Sequence, residues 1–370
     1  MAKPAELYRA VGGASGCRAL ATAFYAQVGQ DPVLRPLFPS TFKCAIEEFS
    51  AFLVQFLGGE ADATQRRWWL SLRESHSRFP IGQLERNAWL RAMAATLESV
   101  IADAGVRSEL LKFFTHSSAH MVNKGRVAEP TSPLTGEIVP LWDQQLALDE
   151  VVALIRSGNG ERCIELLQGP ELQARFARSP AVHASVLALA AASRIPMLRE
   201  YAGDQIRRNP LLVQERYKGG RTLLYDASAA GDVKLVEQLL DMGAGSGADK
   251  VLYGVGNECS APGGGRIVRI LLERSSARVN AAHGVKRCTA LHMAARRGNV
   301  EVIEALLDGG ADIEARDSAG ETPLRRAVNC NKVEAARLLL ARGADPHSKG
   351  SKALTPALAA RGDQMKQLFS

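Results

Sequence analysis

Leu72-Arg73-Glu74-Ser75-His76-Ser77-Arg78-Phe79-Pro80-Ile81 carries a single histidine, and no other precedes His116. A lone histidine is more often a surface residue or a satisfied core residue than a ligand, so its meaning depends on what surrounds it. Upstream, Phe49, Phe52, Leu53, Phe56 and Leu57 recur at three- and four-residue spacing, which predicts one broad apolar face on a helix. Gly58-Gly59 ends it, as flexible residues commonly do. Downstream, Trp89, Met93, Leu97 and Val100 form a second stripe, and Leu20, Phe24 and Val28 a third, with Tyr25 beside it. From Pro4 to about Lys124 the pattern is helical throughout, with no strand-like alternation. Periodicity of this kind does not distinguish a buried core stripe from the wall of a cofactor pocket.

The rest of the chain reads differently. Val127 to Pro140 holds three prolines and a glycine and reads as part of a linker, placed over 127–145. Beyond it the helical units are short, and they repeat. Thr289-Ala290-Leu291-His292 recurs as Thr322-Pro323-Leu324-Arg325, Leu306-Leu307 as Leu339-Leu340, and Gly310-Ala311-Asp312 as Gly343-Ala344-Asp345, each 33 residues on. These landmarks resemble ankyrin repeats, and the resemblance implies an α-solenoid over 218–370, with residues 353–370 as its cap. One copy is irregular, because Asn257 to Gly265 lengthens its inter-helix turn. That glycine-rich stretch lacks the following Lys-Ser/Thr and the preceding strand of a phosphate loop. Residues 146–217 read as divergent, ankyrin-like helix pairs.

Composition narrows the function classes. The 46% hydrophobic share is ordinary for a globular protein, and 370 residues exceed one typical domain. No apolar run approaches the roughly 20 residues that span a bilayer, and Met1 to Glu6 lacks the pattern of a signal peptide. A cytoplasmic protein without a membrane partner is expected. Six scattered cysteines without CxxC pairs argue against a zinc site or a disulfide scaffold. The net charge of +7 is spread out, with 15 Lys/Arg against 11 Asp/Glu in residues 1–126, so no nucleic-acid groove is expected.

Taken in order, Leu7-Tyr8…Val11-Gly12-Gly13, Phe24-Tyr25, Leu37-Phe38-Pro39, Gly58-Gly59, Leu72…His76…Phe79-Pro80-Ile81 and Glu85-Arg86…Trp89-Leu90…Met93 resemble a group II truncated haemoglobin over about residues 4–124. The resemblance implies an all-α chain, a two-over-two helical globin over 1–126 followed by the ankyrin solenoid. It also implies haem b as cofactor, with His76 as the proximal iron ligand. Tyr25 and Trp89 match the distal tyrosine and tryptophan, whose O–H and N–H can donate to bound dioxygen. Phe38 matches the aromatic that packs on the porphyrin. Phe49, Leu53, Leu72, Phe79, Ile81 and Met93 would supply apolar wall, and Arg73 could pair with a propionate. Ala45 best fits the position facing the ligand, with Ile46 the other candidate, because the connection from Phe38 to Phe49 is about one residue shorter than usual. The family often has tyrosine where Phe38 stands, and Gly-His-Pro where Arg66-Arg67-Trp68-Trp69 stand.

The remaining histidines, His116, His120, His183, His283, His292 and His347, match no ligand position. The function expected is reversible binding of dioxygen and other diatomic gases, with an unidentified protein partner docking on the repeats, as in an oxygen- or redox-responsive adaptor. The alternative is haem-dependent nitric oxide dioxygenation or peroxidase chemistry. That would need a separate reductase, because no Rossmann-type glycine pattern is present. A degenerate, haem-free scaffold is disfavoured by His76, Tyr25 and Trp89 standing together.

Overall fold

The structure is a computed structural model, described here for residues 4–59, 70–125, 132–217, 219–350 and 354–369. Among the described residues the regular elements are helices, with only isolated bridges such as that between His283 and Cys288. The chain divides into two compact units, Met1–Tyr201 with Arg216–Gly220, and Ala202–Glu215 with Arg221–Ser370.

The first unit begins with α1 (Pro4–Ala10), α2 (Gly13–Gln30), α3 (Lys43–Phe56), α4 (Leu72–His76), α5 (Gln83–Val100) and α6 (Ala104–Met121). Helix α2 packs on both α3 and α5, and α5 packs on α6. The three sequence stripes meet there: Leu20, Phe24, Val28, Leu53, Phe56, Met93 and Leu97 are all buried. Phe113 joins them from α6, its ring stacked on Phe56 with centroids 4.4 Å apart. Each such side chain contributes about 1.5–3 kcal/mol by leaving water. Gly58, at φ 96°, takes the left-handed backbone that ends α3. Ser71 caps α4 by accepting from the Glu74 N–H at 3.0 Å, and Asp103 caps α6 by accepting from Val106 at 2.8 Å.

The structure departs from the expected linker. Residues 132–136 are irregular, but helix α7 (Ile138–Ser157) starts inside the span 127–145. Pro140 falls in its first turn, where no helical partner exists for the missing N–H, so the proline permits a helix that its presence had argued against. Ile138, Leu141 and Trp142 are buried in the same apolar cluster as α2, α3, α5 and α6, with Trp142 edge-on to Phe113 at 5.7 Å. Helices α8 (Gly160–Gln168), α9 (Pro170–Arg178) and α10 (Pro180–Ala191) follow, then α11 (Pro196–Arg208). As far as Tyr201, the helices grouped by sequence with the repeats therefore belong to the N-terminal unit.

The second unit holds the helix pairs α12 (Leu223–Ala230) and α13 (Val233–Asp241), α14 (Ala248–Glu258) and α15 (Gly264–Arg274), α16 (Ala290–Arg297) and α17 (Val300–Asp308), and α18 (Pro323–Asn329) and α19 (Val333–Ala341). Two single-turn helices, α20 (Pro356–Ala359) and α21 (Asp363–Lys366), close the end. Thr222, Thr289, Thr322 and Thr355 cap the first helices through their hydroxyls. His292 is fully buried and bonds internally, Nδ1 2.8 Å from Thr289 Oγ1 and Nε2 3.0 Å from Glu321 O. Of each leucine pair only the first is sealed: Leu239, Leu271, Leu306 and Leu339 are buried, while Leu240, Leu272, Leu307 and Leu340 are partly exposed.

Two outcomes follow from burial. Leu306→Ala should destabilise the second unit by about 2–5 kcal/mol and Leu307→Ala by far less, measured as urea midpoints; equal losses would refute the alternation. In the first unit, the His183 ring lies flat on Phe176 at 4.3 Å, and burial holds its imidazole down to about 4 from an ordinary 6.5. A histidine whose folded pKa is depressed stabilises the fold while neutral, so that contribution is complete above about pH 6.5 and lost as pH falls toward 4. His183→Phe should flatten the pH dependence of the first unit's melting over this window.

Candidate functional site

Helix α4 is five residues long, and its last residue is His76. The His76 ring folds back on its own helix, with Nδ1 2.8 Å from Leu72 O and 2.8 Å from Ser75 Oγ. Ser75 Oγ gives its own proton to Leu72 O at 2.6 Å, so toward the ring it accepts. Both neighbours therefore call for a proton on Nδ1. Nε2 is left with its lone pair, the form in which an imidazole binds a metal. Burial lowers the ring's proton affinity, outweighing the opposite pull of the Leu72 carbonyl and the Asp149 charge, and this keeps the ring neutral.

From His76 a path of aromatic rings runs across the unit. Phe79 lies 6.5 Å from the His76 ring, Phe38 stacks on Phe79 at 6.3 Å, and Tyr25 is edge-on to Phe38 at 5.5 Å. Phe24 then joins Tyr25, Phe49 and Trp89 at 5.2, 5.6 and 5.1 Å. Such contacts each add about 0.5–1.5 kcal/mol beyond area burial and fix ring orientation. Burial and the nearby Glu48 charge push the Tyr25 hydroxyl up, so it stays a protonated donor. Neither that hydroxyl nor the Trp89 indole N–H makes a hydrogen bond among the described residues.

The structure thus brings together Tyr25, Phe38, Phe49, Phe79, Trp89 and His76. Ala45, Ile46 and Ile81 are partly exposed and pack against the same cluster, so both candidates near the start of α3 stay in contact with it. Leu53 and Met93 are sealed in the core at 1% and 0% exposure and back the wall from within, with Leu72 buried beside them. Arg73 points its side chain to solvent. Arg66-Arg67-Trp68-Trp69 lies outside the described residues. Half-exposed Phe38, Phe49 and Trp89 offer apolar surface beside two donors, and the ring path through Phe79 links that surface to the neutral His76 imidazole. This donor set fits a flat apolar group carrying a metal, as haem does.

Several contributors went unnoticed in the sequence. Phe42 stacks on Tyr25 at 5.5 Å and is the residue before α3, where a lone aromatic outside a periodic run gives no signal. Phe114 of α6 lies 5.5 Å from Trp89. Asn123 grips the turn after His76: its Nδ2 donates to Phe79 O at 2.7 Å, and its Oδ1 accepts from the Ile81 N–H at 3.0 Å. His120, read as unremarkable, pairs with buried Asp149 at 3.1 Å. The second unit carries a cleft of about 350 Å³ lined by Tyr253, His283, Lys286, Cys288, Arg296 and Arg326.

A family model described as bacterial-like globin matches residues 6–123, and one described as ankyrin repeats (3 copies) matches residues 259–350. Group 2 truncated hemoglobin YjbI of Bacillus subtilis is 31% identical over 113 residues, which cover 30% of this chain and 86% of that protein. Ankyrin repeat and SOCS box protein 16 of Homo sapiens is 37% identical over 150 residues, 37% of this chain, and the match spans only 32% of that protein. A crystal structure of hemoglobin from the thermophilic phototrophic bacterium Chloroflexus aurantiacus is 37% identical, covering 32% of this chain and 98% of that one, with a TM-score of 0.31.

Asn123→Ala should loosen the turn between α4 and α5 without unfolding the unit. The expected result is faster tryptic cleavage after Arg78, an exposed site; an unchanged rate would mean that Asn123 does not hold the turn.

Proposed function

Because the chain belongs, through its N-terminal helices, to the bacterial-like globin family, we propose that His76 Nε2 holds haem b and that the pocket binds dioxygen and other diatomic gases. The observation that carries this reading is the His76 ring itself, its Nδ1 committed to Leu72 O and its Nε2 free to ligate. Haem, when held, supplies the iron that takes up the gas. The chain supplies the rest. Phe38 and Phe49 offer the apolar surface on which a porphyrin packs and from which water is excluded. Tyr25 and Trp89 offer the two donors, and in a dry pocket such donors favour a ligand that draws negative charge, dioxygen, over carbon monoxide.

The ankyrin repeats are read as the docking surface for a protein partner. Arg296 and Lys286 make one wall of their cleft basic, which suits a segment bearing carboxylates. The two together describe a gas-binding adaptor, with its site in a cytoplasmic chain.

The purified chain should show a strong Soret band that shifts between its ferric, ferrous and carbon monoxide forms. His76→Ala should lose or grossly alter the ferrous spectrum. Tyr25→Phe should release dioxygen about tenfold faster, the worth of one hydrogen bond to a charged acceptor. A colourless chain, or a ferrous spectrum unaffected by His76→Ala, would overturn the assignment.

A further inference from the structure

Helices outside the globin match of 6–123 take hold of the backbone at both ends of the α3–α4 connection. At the end of α3, buried Arg175 of α9 donates from Nη1 to Gln55 O at 3.2 Å. Just before α4, buried Gln145 of α7 donates to Leu70 O at 3.0 Å. One turn further along α7, Asp149 accepts the Arg73 backbone N–H through Oδ1 at 3.4 Å, while His120 sits 3.1 Å from its Oδ2. Beyond that, Arg156 pairs with Glu74. Residues 145, 149 and 156 share one face of α7, so that face runs along α4.

The Gln145 and Asp149 contacts are specific because they are made by buried polar side chains. Asp149 is 7% exposed and Gln145 is 4% exposed, and either would be costly to bury without its partner. Shifting α4 along α7 would strand both. An apolar interface would tolerate such a slide, and this one does not.

The geometry points to α7 and α9 as a brace that positions α4 and with it the His76 ring, making Asp149 and Gln145 positioning residues for the haem ligand. The inference rests on the reading of His76 as that ligand. A five-residue helix has too few internal hydrogen bonds to hold its own place. In this chain the place is set from behind, by residues that the family's boundaries leave out.

The test uses the full chain with Asp149→Ala, Gln145→Ala and the conservative Asp149→Asn, whose carbonyl still accepts the Arg73 N–H and whose amide can face the His120 ring. In the haem-free chain, hydrogen exchange over residues 72–79 should rise about tenfold in Asp149→Ala while α2 stays protected. In the haem-loaded ferrous chain, the iron–histidine stretching band in resonance Raman should shift or broaden in Asp149→Ala and Gln145→Ala. Asp149→Asn should return both readouts close to wild type. Exchange that rises evenly across the unit would reduce these residues to general stability and overturn the inference. So would a local rise in exchange with an unmoved iron–histidine band. If wild type shows no Soret band, the reading of His76 has failed, and the exchange pattern alone then upholds or overturns the brace.

Discussion

The hydrogen bond from His76 Nδ1 to the carbonyl of Leu72, four residues back, is the constraint on which the rest of the first unit depends. It decides which ring nitrogen carries the proton, and so which one is available to a metal. It also turns a flexible side chain into part of the backbone. The ring cannot tip without breaking the bond or moving the helix. Ser75 reinforces the arrangement by spending its own proton on the same carbonyl.

Everything around that ring serves to keep it dry and aimed. The aromatic path from His76 to Trp89 is made of stacked, edge-on and tilted contacts that interlock, which fixes the orientation of each ring through its neighbours. Polar donors are scarce in this lining. Tyr25 and Trp89 stand out because each presents a large apolar body with a single donor at its edge, and in a low-dielectric pocket one well-placed donor counts for more than several in water.

The helical stripes, the ankyrin register and the globin motif order were all legible in the chain, because each is a local pattern of side-chain type. His76, Tyr25 and Trp89 stand out in the sequence because their neighbours repeat a known order, and the structure sets their rings along one aromatic path. The region around Ile138 was not legible. Three prolines and a glycine in Val127 to Pro140 carry the signal of a linker, and whether Pro140 breaks a helix or begins one depends on where the helix starts. Asp149 and Gln145 were equally silent. Each looks like an ordinary surface residue until α7 is laid against α4, and that requires contacts between residues more than 70 positions apart.

Trp142 and Ile138 also bear on how such a chain could arise. Genes for joined domains are most easily exchanged where a cut leaves both products with complete cores. A crossover just after residue 123 would respect the family's boundary, yet it would strip Ile138, Leu141 and Trp142 from the cluster around Phe113 and take Asp149 from His120. The core of the N-terminal unit extends into sequence beyond the family match. Inheritance of this globin therefore carries α7 and α9 with it, and a join that leaves its core whole lies beyond Tyr201.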